Sequence, residues 1–213
     1  MYDVARRWLA VLVVLLGVAV TACGSSGDSG APVSGISVQD DDGYRGIFLD
    51  EPYDVPSVEL TDTRGRPFDL ADQDRRTLVF FGYTNCPDIC QVVMSTIASA
   101  TTRLSEEQRD ALQVAFVTTD PARDTPTALR TYLDRFDPGF VGVTGSIDSI
   151  AALAAPMDIM VKKGRKLPDG GYEVDHTANV VAVHGAEGDL VWTAGTSPSD
   201  MAADLEKILE ADA

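Results

Sequence analysis

The chain has few of the side chains that bind metal ions or carry out redox chemistry. Its 213 residues include three cysteines and two histidines. Structural Zn²⁺ sites usually use four cysteine or histidine ligands, so the choice of ligands for any metal site is narrow. Basic residues are also scarce, because 17 Lys and Arg stand against 33 Asp and Glu, giving a formal net charge of −16. Such an acidic surface repels nucleic-acid phosphates, and we therefore expect no nucleic-acid partner.

The N-terminal apolar run is too short for a typical membrane-spanning helix. Arg6 and Arg7 precede "WLAVLVVLLGVAV", and the run ends in "VTAC", Val20–Cys23. A membrane-spanning helix needs about 20 apolar residues, whereas a basic start, a short apolar run and small residues at its end form a secretory signal. A plain signal peptide needs no cysteine after the cut, and "VTAC" resembles the bacterial lipobox. We predict a lipoprotein signal peptide over residues 1–22, lipidation of Cys23, and a lipid-anchored protein at the extracytoplasmic face of the bacterial cell membrane.

The remainder of the chain divides into a tether and one domain. Residues 23–53 are rich in Gly, Ser, Asp and Pro, which predicts a lipid-anchored flexible tether. Residues 54–213 contain strand patterns that alternate with helix patterns and end in an antiparallel hairpin. This order predicts an α/β domain with a thioredoxin-like fold, in which helices flank a mixed central sheet preceded by an N-terminal hairpin.

Several segments carry the predicted elements. "VELTDTRGRPFDL" predicts the N-terminal hairpin, and "TLVFFGY" and "LQVAFVTTD" predict strands that are buried on both faces. "TPTALRTYLDRF" predicts a helix capped by Thr125, and "SIDSIAALAA" a helix capped by Ser146. "MDIMVKK" predicts a strand, "GRKLPDGGYEVDH" a polar turn region, "ANVVAVHGAEGDLVWTAG" the closing hairpin, and "SPSDMAADLEKILEADA" a terminal helix.

The stretch "FGYTNCPDICQ" places two cysteines four residues apart, directly after a buried strand. Pro87 suits the first turn of a helix, which predicts Cys86 near the N-cap and Cys90 one turn inside. Residues i and i+4 of a helix have Cβ atoms about 5–6 Å apart, so both sulfurs can point to the same position on one face of the helix. A helix start lowers thiol pKa values and favours thiolates. A permanent disulfide across so short a loop would be strained and would stabilise little. A redox pair and a metal site both remain open at this point.

The two histidines differ in their surroundings. Two thiolates make a soft but incomplete site, and Cu(I) accepts two or three soft ligands. His176, in "YEVDHT", follows a polar loop at the entry to a strand and is the better candidate for a third ligand. His184, in "VAVHGAEG", falls on a hairpin turn where an exposed histidine is ordinary. We therefore leave His184 out of the candidate site.

Three segments taken together resemble the signature segments of the SCO/SenC family: "FGYTNCPDIC", "TTDPARDTP" and "YEVDHT", in this order. Members of that family are membrane-anchored, thioredoxin-like copper-binding proteins that help to assemble the dinuclear copper centre in subunit II of cytochrome c oxidase. The resemblance runs from about Tyr53 to the C-terminus. It implies that Cys86, Cys90 and His176 bind one copper ion, as Cu(I) or Cu(II), for delivery to that subunit.

The resemblance also concerns residues that are not implied ligands. Asp88 matches an aspartate in the cysteine motif, where it tunes the site electrostatically or caps the helix start. The loop that contains Asp120, Pro121, Arg123 and Asp124 either lies beside the metal site or is an ordinary strand-to-helix turn with a surface ion pair.

Rival functions use the same two sulfurs. Cys86 and Cys90 would be the redox-active pair of a thiol-disulfide oxidoreductase that reduces the cysteines of the same partner before metallation. A peroxiredoxin-like peroxidase shares the fold and leaves His176 without a role, and a copper sensor would use the same metal site. Further candidate partners are a thiol reductant and a second copper chaperone as the donor. The sequence favours a non-enzymatic copper chaperone, with the oxidoreductase as the alternative.

Overall fold

The computed structural model describes residues 43–166, 172–176 and 178–212, and for 162–166 and 172–176 it describes the backbone alone. The strands in these ranges are β1 (Ile47–Asp54), β2 (Leu60–Asp62), β3 (Pro67–Phe68), β4 (Arg76–Gly82), β5 (Leu112–Thr118), β6 (Val141–Thr144), β7 (Val161–Lys166), β8 (Tyr172–His176), β9 (Val180–His184) and β10 (Glu187–Trp192). The helices in the same ranges are α1 (Ile89–Thr101), α2 (Glu106–Ala111), α3 (Pro126–Leu133), α4 (Ile147–Ala154) and α5 (Pro198–Ala211).

One mixed sheet organises the described part of the chain. Its eight strands follow the order β1-β10-β9-β4-β5-β6-β2-β3. The central strand β4 runs parallel to β5 and antiparallel to β9. β7 and β8 pair with each other in a separate antiparallel hairpin. The predicted mixed central sheet is confirmed, and β2 and β3 form the predicted N-terminal hairpin.

The central strands are buried on both faces. All seven residues of β4 and all seven of β5 are buried. In β4, Leu78 and Phe80 belong to the core shared with α1, α3 and α5, whereas Val79 and Phe81 belong to the core shared with α4. Because successive side chains of a strand point to opposite faces, the continuous apolar run fills both cores at once.

The predicted helix caps are present. Thr125 Oγ1 accepts a hydrogen bond from the Ala128 N–H (3.2 Å), and Pro126 begins α3. Ser146 Oγ accepts from the Ser149 N–H (3.0 Å) at the start of α4. The sequence does not reveal α2, which packs no residue into the core.

A buried carboxylate joins the C-terminal helix to the first strand. Asp204, in α5, is 1% exposed. It accepts hydrogen bonds from the Arg45 and Gly46 N–H groups and from Trp192 Nε1, each at 2.8 Å. The chain then enters β1, which pairs with β10. Residues 47–53, which the sequence assigned to the tether, are therefore part of the sheet.

Arg76, at the start of β4, is buried between two carboxylates at the end of the sheet opposite the cysteines. Its guanidinium bonds Asp189 (2.6 Å) and Asp212 (2.5 Å). Burial opposes the charge of Arg76, but the hydrogen bonds to Asp212 and Asp189 outweigh it and raise the arginine pKa. Burial likewise raises the pKa of Asp212, and the hydrogen bond from Arg76 more than reverses this, so that the pKa of Asp212 is lowered.

A second carboxylate has a lowered pKa in the β2–β3 hairpin. Asp62 is 4% exposed and accepts from the N–H groups of Arg64 (2.8 Å) and Arg66 (3.0 Å) and from Arg66 Nε (2.7 Å). Burial alone would raise the Asp62 pKa, but these hydrogen bonds lower it below its ordinary value. The carboxylate thereby fixes the tight turn at Gly65, whose φ of 77° suits glycine.

The segment before the closing hairpin differs from the prediction. The strand predicted from Met157 begins at Val161, because Ala155–Met157 forms a 3-10 turn that ends at Asp158 in the left-handed region (φ 55°). Part of the predicted polar turn region belongs to β7 and β8. Polar residues can form a two-stranded ribbon without an apolar alternation that would reveal it.

The N-terminal predictions lie outside the described residues. Residues 1–42 contain the predicted signal peptide and Cys23. Within the part of the chain that the structure describes, no helix combines the length and apolar character required to cross a membrane.

Candidate metal centre

Cys86 lies in the connection between β4 and α1. β4 ends at Gly82, where an added Cβ would stand 2.9 Å from the Phe116 ring, so this close passage requires glycine. The chain then turns, with the Cys86 N–H donating to the Tyr83 carbonyl (3.2 Å). Because the turn comes first, α1 begins at Ile89 and Cys90 is its second residue.

The predicted start of this helix at Pro87 is therefore wrong by two residues. Asp88, directly before the helix, has φ −142° and ψ −88°, which are not helical angles. Its side chain is exposed and makes no capping hydrogen bond. Of the two roles considered for Asp88, capping of the helix is not observed.

The cysteines are nevertheless brought together. The Cys90 N–H donates to Cys86 Sγ (3.4 Å). Cys86 is 6% exposed, Cys90 is 0% exposed, and no disulfide joins them. A backbone N–H from the first turn of α1 thus points at the Cys86 sulfur, which favours negative charge on that sulfur.

The Cys90 thiol has a raised pKa. The hydrogen bond between the two side chains raises the pKa of the Cys90 thiol, burial raises it further, and the Tyr83 N–H lowers it by a smaller amount. The expectation that the helix start lowers the pKa of both thiols is wrong for Cys90, because this group is buried and donates to its neighbour. A soft metal ion that binds both sulfurs must displace this proton.

Asp124 fixes the connection that carries Cys86. Its carboxylate, 1% exposed, accepts from the Thr84 N–H (3.0 Å), from Thr84 Oγ1 (2.5 Å) and from Thr118 Oγ1 (2.7 Å). Thr118 is the last residue of β5, so Asp124 connects the ends of two neighbouring parallel strands. The segment "TTDPARDTP" therefore lies beside the cysteine connection.

The same loop contains Asp120 and Arg123, which the sequence left as an ion pair in a strand-to-helix turn or as part of a loop beside the metal site. Asp120 is buried and forms an ion pair with Arg123, and its N–H donates to Thr118 Oγ1 (3.0 Å). Arg123 and Asp124 both donate their N–H groups to the Asp120 carbonyl (3.1 and 2.9 Å). The loop is therefore an ion-paired strand-to-helix turn, with Asp120 buried and not on the surface as expected, and it places Asp124 against the connection that carries Cys86.

His176 comes four residues before β9, and β9 begins beside the end of β4 that leads to the cysteines. His176 ends β8, where it pairs with Val161. β9 begins at Val180, which pairs with Phe80 near the end of β4. Between them, Ala178 packs against the core that contains Cys86 and Cys90. The His176 side chain lies outside the described residues.

His184 lies at the other end of β9. Its side chain is 46% exposed, and Nδ1 is 3.4 Å from Asp212 Oδ1. Because β9 is antiparallel to β4, its last residue lies near the start of β4, away from the cysteine connection. This position is consistent with leaving His184 out of the site.

The side chains that the structure describes include two adjacent soft donors of the kind that a copper ion prefers, Cys86 and Cys90. Among all the described side chains, no group of three or more His, Cys, Asp or Glu is arranged to hold a metal ion. Two adjacent buried sulfurs fit Cu(I), which accepts few and soft ligands, better than they fit Zn²⁺. The sequence did not identify Thr84 at this site, because threonine at such a position is an ordinary loop residue.

Comparisons with known proteins identify the family of the chain. The SCO1/SenC family model matches residues 52–210. Mitochondrial protein SCO2 of Saccharomyces cerevisiae is 29% identical over 169 residues, which are 78% of this chain and 54% of the yeast protein. The chain thus spans about half the length of that relative.

Solved structures give the same family. The structure of Bradyrhizobium japonicum ScoI with copper bound is 31% identical, with a TM-score of 0.63 over 72% of this chain and 98% of that chain. BsSco, described as a member of the Sco family of cytochrome c oxidase assembly proteins, is 20% identical, with a TM-score of 0.61 over 75% of this chain and 95% of that chain. Sco proteins have a thioredoxin-like fold, so that prediction is confirmed.

The family model spans most of the chain and includes the cysteine connection, the Asp124 loop and β8. On this match, the chain belongs to the SCO1/SenC family.

Proposed function

We propose that this protein is a copper chaperone. It binds one copper ion, as Cu(I) or Cu(II), through Cys86, Cys90 and His176, and it delivers the ion to the dinuclear copper centre of cytochrome c oxidase subunit II. The observation that carries the proposal is the pair of buried cysteines, in which the Cys90 backbone N–H donates to Cys86 Sγ. The copper bound to B. japonicum ScoI and the description of Sco proteins as oxidase assembly proteins support it.

The chain's own residues account for capture and release. Copper replaces the protons of the two thiols, and the N–H at the start of α1 stabilises the resulting charge on Cys86. Asp124 keeps the connection in place while the ligands change. Release follows when cysteine and histidine ligands of the partner replace these side chains one at a time. Acid weakens binding, because protons compete for the same sulfurs.

A thiol-disulfide oxidoreductase is the second candidate, and one observation favours it. Cys86 retains slight exposure and receives an N–H, whereas Cys90 is fully buried with a raised pKa. This asymmetry suits an attacking sulfur paired with a resolving one. Such chemistry needs Cys86 and Cys90 but not His176, so the histidine distinguishes the two functions.

The decisive experiment compares His176→Ala with His184→Ala, a matched control at the other end of β9. Copper titration of the purified protein should give one ion per wild-type chain. We expect His176→Ala to weaken binding at least about tenfold, since it loses a direct ligand, and His184→Ala to bind like wild type. Oxidase assembly in cells should follow the same order. Normal copper binding by His176→Ala, together with loss of assembly in Cys86→Ser, would replace the chaperone with the oxidoreductase.

We also propose that a lipid on Cys23 anchors the protein at the extracytoplasmic face of the membrane. The proposal rests on the "VTAC" motif after the short apolar run. Cys23→Ala should leave an unprocessed precursor or a released protein in fractionated cells. Unchanged mobility and membrane attachment would exclude the anchor.

A further inference from the structure

A cavity of about 230 Å³ opens at the end of the sheet opposite the cysteines. Leu112, the first residue of β5, forms part of its wall and lies beside Arg76, the first residue of β4. The cysteines instead follow the last residue of β4. The end of α1, the helix α2 and the connection from α3 to β6 supply further parts of the wall. The cavity is therefore separate from the candidate metal centre.

The inner surface of the cavity is apolar. Leu112, Val114 and Phe140 line it, and each of them is only 5–6% exposed. All three belong to the core that the sheet shares with α1, α3 and α5. A ligand that enters the cavity therefore gains apolar contact area on well-packed side chains.

Two arginines line the same cavity. Arg75 directly precedes β4, and Arg109 lies in α2. Within the described ranges, neither guanidinium forms an ion pair with a carboxylate. The chain has 17 basic residues against 33 acidic ones, so most of its basic side chains have acidic groups available as partners. Two guanidinium groups without such a partner at one cavity favour a negatively charged ligand.

Hydrogen bonds hold Arg75 in place and leave its charge uncompensated. Its Nη1 donates to the Leu112 carbonyl (3.3 Å), and its Nη2 donates to Gln113 Oε1 (2.7 Å). Gln113 is 9% exposed, and its Nε2 donates in turn to Gln73 Oε1 (3.0 Å). A guanidinium has five N–H groups, so Arg75 keeps donors for a ligand after these two bonds. Its partners are neutral, and its positive charge is therefore available to that ligand.

Arg109 gives the short helix α2 a role that packing does not explain. No residue of α2 is buried. A capping box begins this helix, with Ser105 and Gln108 each accepting the other's backbone N–H (3.2 and 3.0 Å). Arg109 is the residue of α2 that lines the cavity, and its side chain has no hydrogen-bond partner in the described part of the chain. The helix thus presents a second cation at the cavity.

Asp137 limits the charge that the ligand can carry. It lines the cavity, and its Oδ1 accepts a hydrogen bond from the Gly139 N–H (2.6 Å). A second negative group on the ligand would come close to this carboxylate, and like charges repel. The cavity therefore suits one negative group attached to an apolar body.

We propose that this cavity is a binding site for a small organic monocarboxylate with an apolar body. The carboxylate pairs with Arg75 and Arg109, and the apolar body packs on the inner surface of the cavity. At ~30 Å³ per water molecule, the volume equals that of about eight waters, which suits one ring with a carboxylate better than a nucleotide or a lipid. The site goes beyond the proposed copper function and does not depend on it.

Benzoate is the probe that tests the site, and benzamide is an uncharged control of nearly the same shape. Titrations of the purified full-length protein follow the backbone amide NMR signals of Leu112, Val114 and Gly139. Benzoate should shift these signals to saturation. Benzamide should bind at least about tenfold more weakly, because it cannot form charge-assisted hydrogen bonds with the arginines.

Three arginine variants locate the charge that the probe recognises. Arg109→Gln removes a guanidinium that has no partner in the described structure, so it should keep the fold and weaken benzoate binding about tenfold. Arg75→Gln should weaken binding at least as much. Arg103→Gln is the matched control, because Arg103 is an exposed arginine just after α1 that is not among the residues lining the cavity. It should bind benzoate like wild type.

Three results overturn the inference. Unchanged amide signals in benzoate show that nothing binds in the cavity. Equal affinities for benzoate and benzamide show that the cavity does not recognise charge. Equal benzoate affinities for Arg109→Gln and Arg103→Gln show that the arginines of the cavity are not the recognition groups. The copper proposal survives each of these results, because the cavity and the cysteines lie at opposite ends of the sheet.

Discussion

Replacing Asp124 by alanine tests whether this carboxylate holds the cysteine connection. The mutation removes three hydrogen bonds, two from Thr84 and one from Thr118 Oγ1, and leaves the Thr84 N–H without its acceptor. Each bond is worth about 1 kcal/mol net, and relief of a buried charge offsets part of the sum. We expect a loss of about 2–3 kcal/mol in the free energy of unfolding.

Urea unfolding at pH 7 measures this loss. A loss of that size lowers the midpoint by about 1 M for an m-value of about 2 kcal/mol/M. Copper release should also accelerate, because the connection that carries Cys86 loses its support. Asp134→Ala is the matched control, since Asp134 pairs with Arg130 (2.8 Å) but is 50% exposed, and exposed pairs contribute about 0.5 kcal/mol. Equal midpoints for the two variants would refute the role assigned to Asp124.

Two further predictions concern stability away from the site. Asp204→Ala removes the acceptor of three N–H groups and should lower the free energy of unfolding by about 2–3 kcal/mol. The fluorescence emission of Trp192 should also shift. A variant with the wild-type urea midpoint and emission would contradict this prediction. The pKa values of Asp62 and Asp212 are lower in the folded protein than in the unfolded chain, so the unfolded chain binds more protons in acid. The two carboxylates therefore stabilise the folded protein fully above about pH 4, and this stabilisation is lost as the pH falls through their folded pKa values. In a series of urea titrations from pH 7 to pH 3, the midpoint should decrease once the pH is below 4. Asp212→Asn should make this decrease with pH less steep, and an equally steep decrease in the variant would show that Asp212 does not contribute to the acid sensitivity.

The predictable part of the structure is the part with local signals. The apolar run of β4 and the Thr125-Pro126 helix start are visible over a few residues, and both are confirmed. The predicted start of α1 was wrong because a proline such as Pro87 is equally acceptable in the turn that precedes the helix. Local preference could not decide between the two.

The contacts of the site could not be predicted from local patterns, because they join segments that are distant in the sequence. Asp124 contacts Thr84 across 40 residues of sequence, and only the parallel pairing of β4 with β5 brings them together. Short-range patterns carry no trace of such a contact.

The pairing of β4 also has a consequence for the order in which the protein folds. One edge of β4 pairs with β5, which is the next strand in the sequence. The other edge pairs with β9, which is synthesised much later, and in this pairing Val79 lies opposite Val181. Until β9 has been synthesised, β4, whose residues are all buried in the folded protein, has an open edge, and open edges invite pairing with other chains. Cys86 and Cys90 follow this strand directly, so they reach their final surroundings only when the last part of the chain has arrived.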